Sequence, residues 1–292
     1  MYTTLISAPQ LQALRDTDIP CMVFDCSFDL LQPDAGPAMY AHSHIAGAVY
    51  AHLDTALSAK GERAHTGAMS GGRHPLPSRE AFGEWLTAVG FENTMQAVVY
   101  DRQGANYCGR LWWMLKWLGH DAVAVLDGGM AAWVAQDGAL EANLPPKPPY
   151  NKERVPFALS EPKVSLVGAD MVLRQLGRTG QTIVDARAAP RFRGEVEPLD
   201  PVAGHIPGAL NRPFALNLTP EGFFKPAKVL RAEWDALLGT SSAQSVVHQC
   251  GSGVSAIPNM LAMEIAGLQG SALFAGSWSE WCSDPARPVA VG

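Results

Sequence analysis

VVHQCGSGVSAIPNMLAMEIAG, residues 246–267, places a cysteine where an apolar run ends and a helix-like segment begins. Gly251 and Gly253 lack a Cβ, so the backbone after Cys250 can turn tightly and point its N–H groups inward. We expect Ser255 to act as the N-cap of the following helix. A cysteine in a bowl of N–H groups at a helix N-terminus favours its thiolate form, which makes Cys250 a candidate nucleophile.

Four markers around this stretch recur in the other half of the chain in the same order. The first half contains CMVFD, SHIAG, AVVYD and AVLDGG, and the second contains TIVD, GHIPG, SVVHQC and ALFAGS. The spacing from Asp25 to His44 equals that from Asp185 to His205 to within one residue. The chain is therefore predicted to be a tandem repeat in which Asp101 stands where the second half has Cys250.

The apolar runs are short and uninterrupted, which is typical of buried parallel strands covered by helices on both faces. We predict an α/β fold with two such domains, at residues 1–142 and 164–292, joined by a proline-rich linker at 143–163. Ligands of such sheets bind beyond the carboxyl ends of the strands. Because Asp101 cannot act as a sulfur nucleophile, the first domain is predicted to be non-catalytic and the second catalytic.

Charge and cysteine content exclude several classes of function. The chain has 292 residues, a net charge of −6 and no Lys/Arg run longer than two, so no nucleic-acid partner is expected. It has no apolar run of roughly 18 residues and no basic N-terminal region, so neither a membrane partner nor a signal peptide is expected. The five cysteines lack C-x-x-C spacing, which indicates reduced thiols in a cytoplasm rather than a disulfide framework or a metal site.

A cysteine phosphatase also uses a nucleophilic cysteine between a strand and a helix. Such an enzyme needs an arginine that closes the loop and grips phosphate with two hydrogen bonds. Here Ala256 stands at that position, and the next arginine is Arg287. The loop is therefore a poor match to a phosphatase, while a merely structural cysteine would not require Gly-Ser-Gly beside it.

Four motifs in combination resemble the two-domain rhodanese-type sulfurtransferases over nearly the whole chain: DARAAPRFRG, GHIPGALN, CGSGVSA and GSWSEW. The loop CGSGVSA is similar to that of the mercaptopyruvate subgroup, whereas thiosulfate-preferring members carry basic residues there. The resemblance implies two tandem rhodanese-like domains. It also implies that Cys250 takes sulfur from a small anionic donor, holds it as a persulfide and passes it to a thiol, including that of a thioredoxin-like protein, or to cyanide. No metal or organic cofactor is implied.

The resemblance also assigns residues to the donor. Arg191, with Arg193 as the alternative, would hold the donor's anionic group. A second arginine that such enzymes carry is replaced here by Leu199. The loop positions that would contact the donor are Gly251, Gly253, Val254 and Ser255.

Ser252 and His74 match two members of a Ser-His-Asp proton relay, and Tyr107 matches a tyrosine that faces the site. Ala59 stands where the Asp of the relay is expected, and Asp54 is the nearest alternative. Residues 60–72 read as a polar insertion. Because His74 lies in the first half of the chain, the resemblance places the site between the two domains.

Two alternatives remain open. The first is a thiosulfate:cyanide sulfurtransferase that uses the same Cys250 persulfide. The second is a non-catalytic rhodanese-like binding module, against which the intact loop speaks because modules that lose activity tend to lose this cysteine. The neutral Gly-Ser-Gly loop favours mercaptopyruvate as the donor.

Overall fold

A computed structural model describes residues 1–60, 68–143 and 154–292. These residues form two compact units. Unit 1 comprises Met1–Ser58, Pro77–Lys163 and Pro220–Phe223, and unit 2 comprises Ala59–Leu76, Val164–Thr219 and Phe224–Gly292. The units therefore follow the two halves of the chain except at two short segments, 59–76 and 220–223, which differ from the boundaries expected from the sequence.

Unit 1 is built on a parallel five-stranded sheet. Its strands are β1 (Leu5–Ile6), β2 (Cys21–Asp25), β4 (Val49–Tyr50), β5 (Gln96–Tyr100) and β6 (Val123–Leu126), and a small antiparallel pair is formed by β3 (His44–Ile45) and β7 (Leu140–Glu141). Its helices are α1 (Ala8–Arg15), α2 (Ala35–His42), α3 (Arg79–Val89), α4 (Cys108–Trp117) and α5 (Gly129–Val134). The order across the sheet is β1-β6-β5-β2-β4.

Unit 2 contains a second parallel five-stranded sheet. Its strands are β8 (Ser165–Val167), β9 (Thr182–Asp185), β10 (Leu210–Asn211), β11 (Val246–Gln249) and β12 (Ala272–Phe274). Its helices are α6 (Ala169–Arg174), α7 (Ala189–Phe192), α8 (Ala227–Leu238), α9 (Ile257–Ile265) and α10 (Ser277–Trp281), with 3₁₀ turns at Phe214–Asn217 and Ala243–Ser245. Read from β8, the order is β8-β12-β11-β9-β10.

The two sheets confirm the predicted repeat. Their strands follow the same order, and their registers match, because Asp25 pairs with Tyr100 and Asp185 pairs with Gln249 at the carboxyl ends of the central strands. Both central strands, β5 and β11, are buried along their whole length, as the uninterrupted apolar runs predicted. Cys250 follows the central strand of unit 2 directly and therefore lies at the edge where such sheets bind ligands.

The described part of the predicted linker is attached to unit 1. The Phe157 N–H donates to Thr87 Oγ1 at 2.9 Å, and the Ala158 N–H donates to Asn93 Oδ1 at 2.8 Å. Residues 154–163 thus have hydrogen-bond partners that a free extended spacer would lack. The remainder of the proline-rich segment, residues 144–153, and most of the predicted insertion, residues 61–67, lie outside the described residues.

Candidate active site around Cys250

The loop that follows β11 needs glycine at two positions for different reasons. Gly253 has φ +72°, and a Cβ there would lie 2.0 Å from the Ala275 carbonyl oxygen. A Cβ on Gly251 would lie 3.1 Å from Arg73 Nη2, so a side chain would crowd that guanidinium. The expected cap at Ser255 was wrong: α9 begins at Ile257, its N-cap is Ala256, and no side chain caps it.

Helix α10 holds the backbone of the loop that follows β11. Ser277 has φ +54°, a region that non-glycine residues rarely occupy, and its Oγ accepts a hydrogen bond from the Cys250 N–H at 3.0 Å. The Trp278 N–H donates to the Cys250 carbonyl at 3.0 Å, and the Ser279 N–H donates to the Gly251 carbonyl at 2.9 Å. The GSWSEW motif therefore fixes the backbone on both sides of the Cys250 side chain.

The same helix holds the segment that carries His74. The Arg73 N–H donates to Ser279 Oγ at 3.0 Å, and the Gly71 N–H donates to Glu280 Oε2 at 3.2 Å. Burial raises the pKa of the Glu280 carboxyl above its ordinary value. These bonds explain why residues 59–76 belong to unit 2 although they lie in the first half of the sequence.

His74 and Ser252 form a buried pair. His74 Nδ1 lies 2.7 Å from Ser252 Oγ, which is hydrogen-bond distance, and the two residues are 2% and 6% exposed. Ser252 is two residues from Cys250 in the same loop. The two side chains that the resemblance assigned to a proton relay are thus brought together within one unit.

Two guanidinium groups converge on the start of the loop. A Cβ on Gly251 would lie 3.1 Å from Arg73 Nη2 and 3.6 Å from Arg191 Nη1. Arg193, the alternative to Arg191, instead has a side chain that is 43% exposed and pairs with Glu195 at 2.7 Å. Sequence reasoning missed Arg73, although its position beside His74 and the substitution of the second expected arginine by Leu199 together pointed to such a residue.

A chain of buried and half-buried ion pairs runs behind these two groups. The Arg191 guanidinium contacts Glu197 at 2.6 Å and Asp200 at 3.3 Å, and Arg73 contacts the other oxygen of Asp200 at 2.7 Å. Glu197 also contacts Arg187, which pairs with Asp185 at 2.7 Å. Each guanidinium at the loop is therefore held in place by a carboxylate with at most 4% of its side chain exposed.

Tyr107 belongs to unit 1, where its ring packs against Phe28 with the ring centroids 5.4 Å apart. Its backbone N–H donates to the Asp101 carboxylate at 2.8 Å. These contacts account for Tyr107 as part of the fold of unit 1. Its assignment to the donor site stays a prediction.

The loop of unit 1 is filled by its own carboxylate. Asp101, which is 1% exposed, stands at the position equivalent to Cys250, and its two oxygens accept four backbone hydrogen bonds of 2.8–3.1 Å. The donors are the N–H groups of Gln103, Ala105, Tyr107 and Cys108. Both loops turn at the third residue after the repeat position, where Gly104 and Gly253 have φ +66° and +72°. A loop of this type is thus a receptor for negative charge.

We expect Asp101→Ala to lower the free energy of unfolding by roughly 3–5 kcal/mol, since two buried and two half-buried N–H groups would lose their acceptor. Urea denaturation followed by circular dichroism measures the loss. Asp34→Ala is the matched control, because Asp34 is exposed and makes no capping bond; it should change stability by about 0.5 kcal/mol or less. Equal midpoints for the two variants would contradict the role assigned to the carboxylate.

The other four cysteines are unsuited to nucleophilic chemistry. Burial raises the pKa of the Cys21 thiol to about 11 and raises that of Cys282 above its ordinary value. Burial also raises the pKa values of Cys26 and Cys108 well above the ordinary value, with the nearby Asp25 and Asp101 carboxylates adding to the effect. These thiols stay protonated at neutral pH, so they contribute little thiolate.

Two features are absent from residues 1–60, 68–143 and 154–292. No helix there is long and apolar enough to cross a membrane. No group of three or more His, Cys, Asp or Glu residues in those ranges is arranged to hold a metal ion.

Both units are similar to known proteins along nearly the whole chain. The rhodanese-like domain model matches residues 7–136 and 168–284. A Pseudomonas aeruginosa protein, provisionally named a 3-mercaptopyruvate sulfurtransferase, is 43% identical over 99% of this chain and 98% of its own length. A Mycobacterium tuberculosis protein, provisionally named a thiosulfate sulfurtransferase, is 38% identical over 99% of this chain and 97% of its own. The crystal structure of the 3-mercaptopyruvate sulfurtransferase SseA from Escherichia coli matches with a TM-score of 0.75 and 30% identity, covering 96% of this chain and 100% of that one.

Proposed function

The chain belongs to the family of rhodanese-like proteins and is a sulfurtransferase, and from that premise we propose that Cys250 carries the sulfur as a persulfide, with 3-mercaptopyruvate as the preferred donor. The observation that carries this proposal is the contact of 2.7 Å between His74 and Ser252 beside a loop without basic residues. A proton relay serves a donor whose leaving group must be protonated, and mercaptopyruvate is such a donor.

In the first half-reaction, the Cys250 thiolate attacks the sulfur of mercaptopyruvate. The new S–S bond forms as the C–S bond breaks, and its electron pair passes to the carbon, which leaves as the enolate of pyruvate. Protonated His74 donates through Nδ1 to Ser252 Oγ, and the Ser252 hydroxyl delivers its proton to the enolate. The products are pyruvate and the Cys250 persulfide.

In the second half-reaction, a thiolate or cyanide attacks the outer sulfur of the persulfide. The S–S bond breaks, its electron pair returns to Cys250 as the thiolate, and the acceptor leaves with the sulfur. Negative charge on the outer sulfur is stabilised by the inward N–H groups of the loop, among which we place those of Gly251, Gly253, Val254 and Ser255. The loop in unit 1, in which four N–H groups bind the Asp101 carboxylate, supports this role.

The donor's anionic group is assigned to Arg191 and Arg73 together. Each guanidinium lies within 4 Å of the Cβ position of Gly251, and Arg73 Nη2 and Arg191 Nη1 take part in none of the described ion pairs. Arg73 thus supplies the second cation of the site, in place of the expected arginine that is Leu199 in this chain. A planar guanidinium offers two parallel N–H groups to a carboxylate or a sulfonate, so this arrangement suits either donor.

We expect Arg73→Ala to raise KM for both donors roughly tenfold to a hundredfold, because one hydrogen bond to a charged group is lost. The KM values for mercaptopyruvate and thiosulfate measure the effect, and kcat should change less. Arg193→Ala tests the alternative anchor, and we expect its KM values to stay at those of the wild type. If Arg193→Ala raises KM and Arg73→Ala does not, the assignment of the anion site is wrong.

A second candidate function, transfer from thiosulfate to cyanide, is favoured by the Mycobacterium tuberculosis relative and by the paired guanidiniums. The decisive experiment compares kcat/KM for the two donors on the wild-type protein, with intact-mass detection of one added sulfur atom. A higher kcat/KM for thiosulfate would overturn the donor assignment. Absence of a persulfide with both donors would overturn the Cys250 mechanism.

The acceptor is proposed to be a small thiol, cyanide or the reactive thiol of a thioredoxin-like protein. A reducing compartment such as the cytoplasm suits the five free cysteines of the chain. Neither step calls for a metal or an organic cofactor, since the cysteine itself carries the transferred atom.

A further inference from the structure

Asp200 occupies a bridging position between the two guanidiniums of the site. Its Oδ1 lies 2.7 Å from Arg73 Nη1, and its Oδ2 lies 3.3 Å from Arg191 Nη2. Only 4% of its side chain is exposed. One buried carboxylate therefore pairs with both guanidiniums at the loop.

The charges of the ion-pair chain behind the loop sum to zero. The ion-pair chain contains three arginines and three carboxylates, which alternate in the order Asp185, Arg187, Glu197, Arg191, Asp200 and Arg73. With Asp200 ionised, the two guanidiniums offer directed N–H groups to a donor but no excess positive charge. With Asp200 neutral, the same groups would carry one uncompensated charge.

We infer that Asp200 is a specificity-determining residue, which holds the donor site neutral and so weakens the binding of a dianionic donor more than that of a monoanionic one. The inference rests on the proposed function, because it concerns the same site. Thiosulfate carries two negative charges and mercaptopyruvate carries one carboxylate charge. A site without excess charge gives the second negative charge no added attraction to balance the loss of its hydration.

The test is Asp200→Asn, which removes the charge and keeps the size of the side chain. Each unit of donor charge should then gain about two- to fivefold in binding, which lies within the range found for exposed charge pairs. We expect the kcat/KM ratio of thiosulfate to mercaptopyruvate to rise about two- to fivefold, and added salt to reduce the gain. An unchanged ratio, or an equal rise of KM for both donors, would show that Asp200 only holds the arginines in place.

Two further variants separate charge from position. Asp200→Glu keeps the charge but lengthens the side chain, so both KM values should rise while the donor ratio stays at the wild-type value. Glu195→Gln removes a carboxylate that is 54% exposed and lies on the same loop region, and it should leave the ratio unchanged. A shift of the ratio in Glu195→Gln as large as that in Asp200→Asn would mean that general surface charge, and not Asp200, sets the preference.

A binding measurement distinguishes this inference from the proposed function. In full-length Cys250→Ser, with and without Asp200→Asn, pyruvate serves as the unreactive monoanion and sulfate as the unreactive dianion. Dissociation constants come from the rise of the unfolding temperature with ligand concentration. Stronger sulfate binding in the Asn variant supports the inference even if sulfur transfer is never observed. If the wild type transfers sulfur normally and Asp200→Asn changes the dissociation constants of sulfate and pyruvate by the same factor, the inference is wrong and the proposed function stands.

Discussion

Cys250→Ser is expected to abolish sulfur transfer from every donor. A hydroxyl cannot form a persulfide, and burial keeps the four other thiols protonated, so none of them can take over. Intact mass after incubation with mercaptopyruvate or thiosulfate should show one added sulfur atom on the wild-type protein and none on the variant. Steady-state assays of pyruvate and of thiocyanate should fall to the rate without enzyme.

The matched controls are Cys21→Ser and Cys282→Ser, which change a thiol in the same way outside the loop. Both should keep the persulfide and at least about half of the activity, since serine is close to cysteine in size and neither the half-buried Cys21 nor the buried Cys282 belongs to the loop. Residual turnover by Cys250→Ser would show that another group can carry the sulfur. Loss of the persulfide in a control variant that folds normally would show that the cysteine changed in that variant is also needed.

Ser252→Ala should lower kcat for mercaptopyruvate by about a hundredfold or more, the usual contribution of a positioned proton donor. The Ser252 Oγ lies 2.7 Å from His74 Nδ1, and its loss breaks the path from the imidazole to the leaving enolate. Sulfite, which leaves from thiosulfate, needs no such proton. Transfer from thiosulfate by the same variant is therefore the internal control, and it should change by only a few-fold.

His74→Asn should give the same pattern as Ser252→Ala, and the double variant should be no worse than either single one, because both act in one relay. Equal losses with both donors would contradict the relay and would indicate a general role in loop structure. Additive losses in the double variant would contradict the coupling of the two side chains.

Much of the fold could be predicted because it depends on local pattern. Buried parallel strands appear as short apolar runs, and Asp25 and Asp185 mark the ends of equivalent strands in both halves. Cys250 could be singled out as a candidate nucleophile for the same reason, since it and its glycines are neighbours in the sequence. The cap at Ser255 could not be predicted, because helix propensity alone does not decide where the first turn closes.

The rest of the site depends on contacts between distant parts of the chain. Arg73 reaches the loop because its N–H bonds to Ser279, 206 residues further on. Likewise, the membership of residues 59–76 in unit 2 follows from such bonds and not from any composition change at residue 58. The role of Asp200 was equally hidden, since an acidic residue two positions after a proline reads as an ordinary turn until both of its oxygens are seen on arginines.

The carboxylate of Asp101 makes the two equivalent loops of this protein differ in how long they can hold an anion. In unit 1 the anion in the loop is the side chain of Asp101, which cannot dissociate. Its hydrogen bonds connect the end of strand β5 to the start of helix α4. In unit 2 a sulfur atom would arrive and depart in every cycle. Whether the loop keeps its anion permanently or exchanges it in every cycle thus depends on the residue at the end of the central strand.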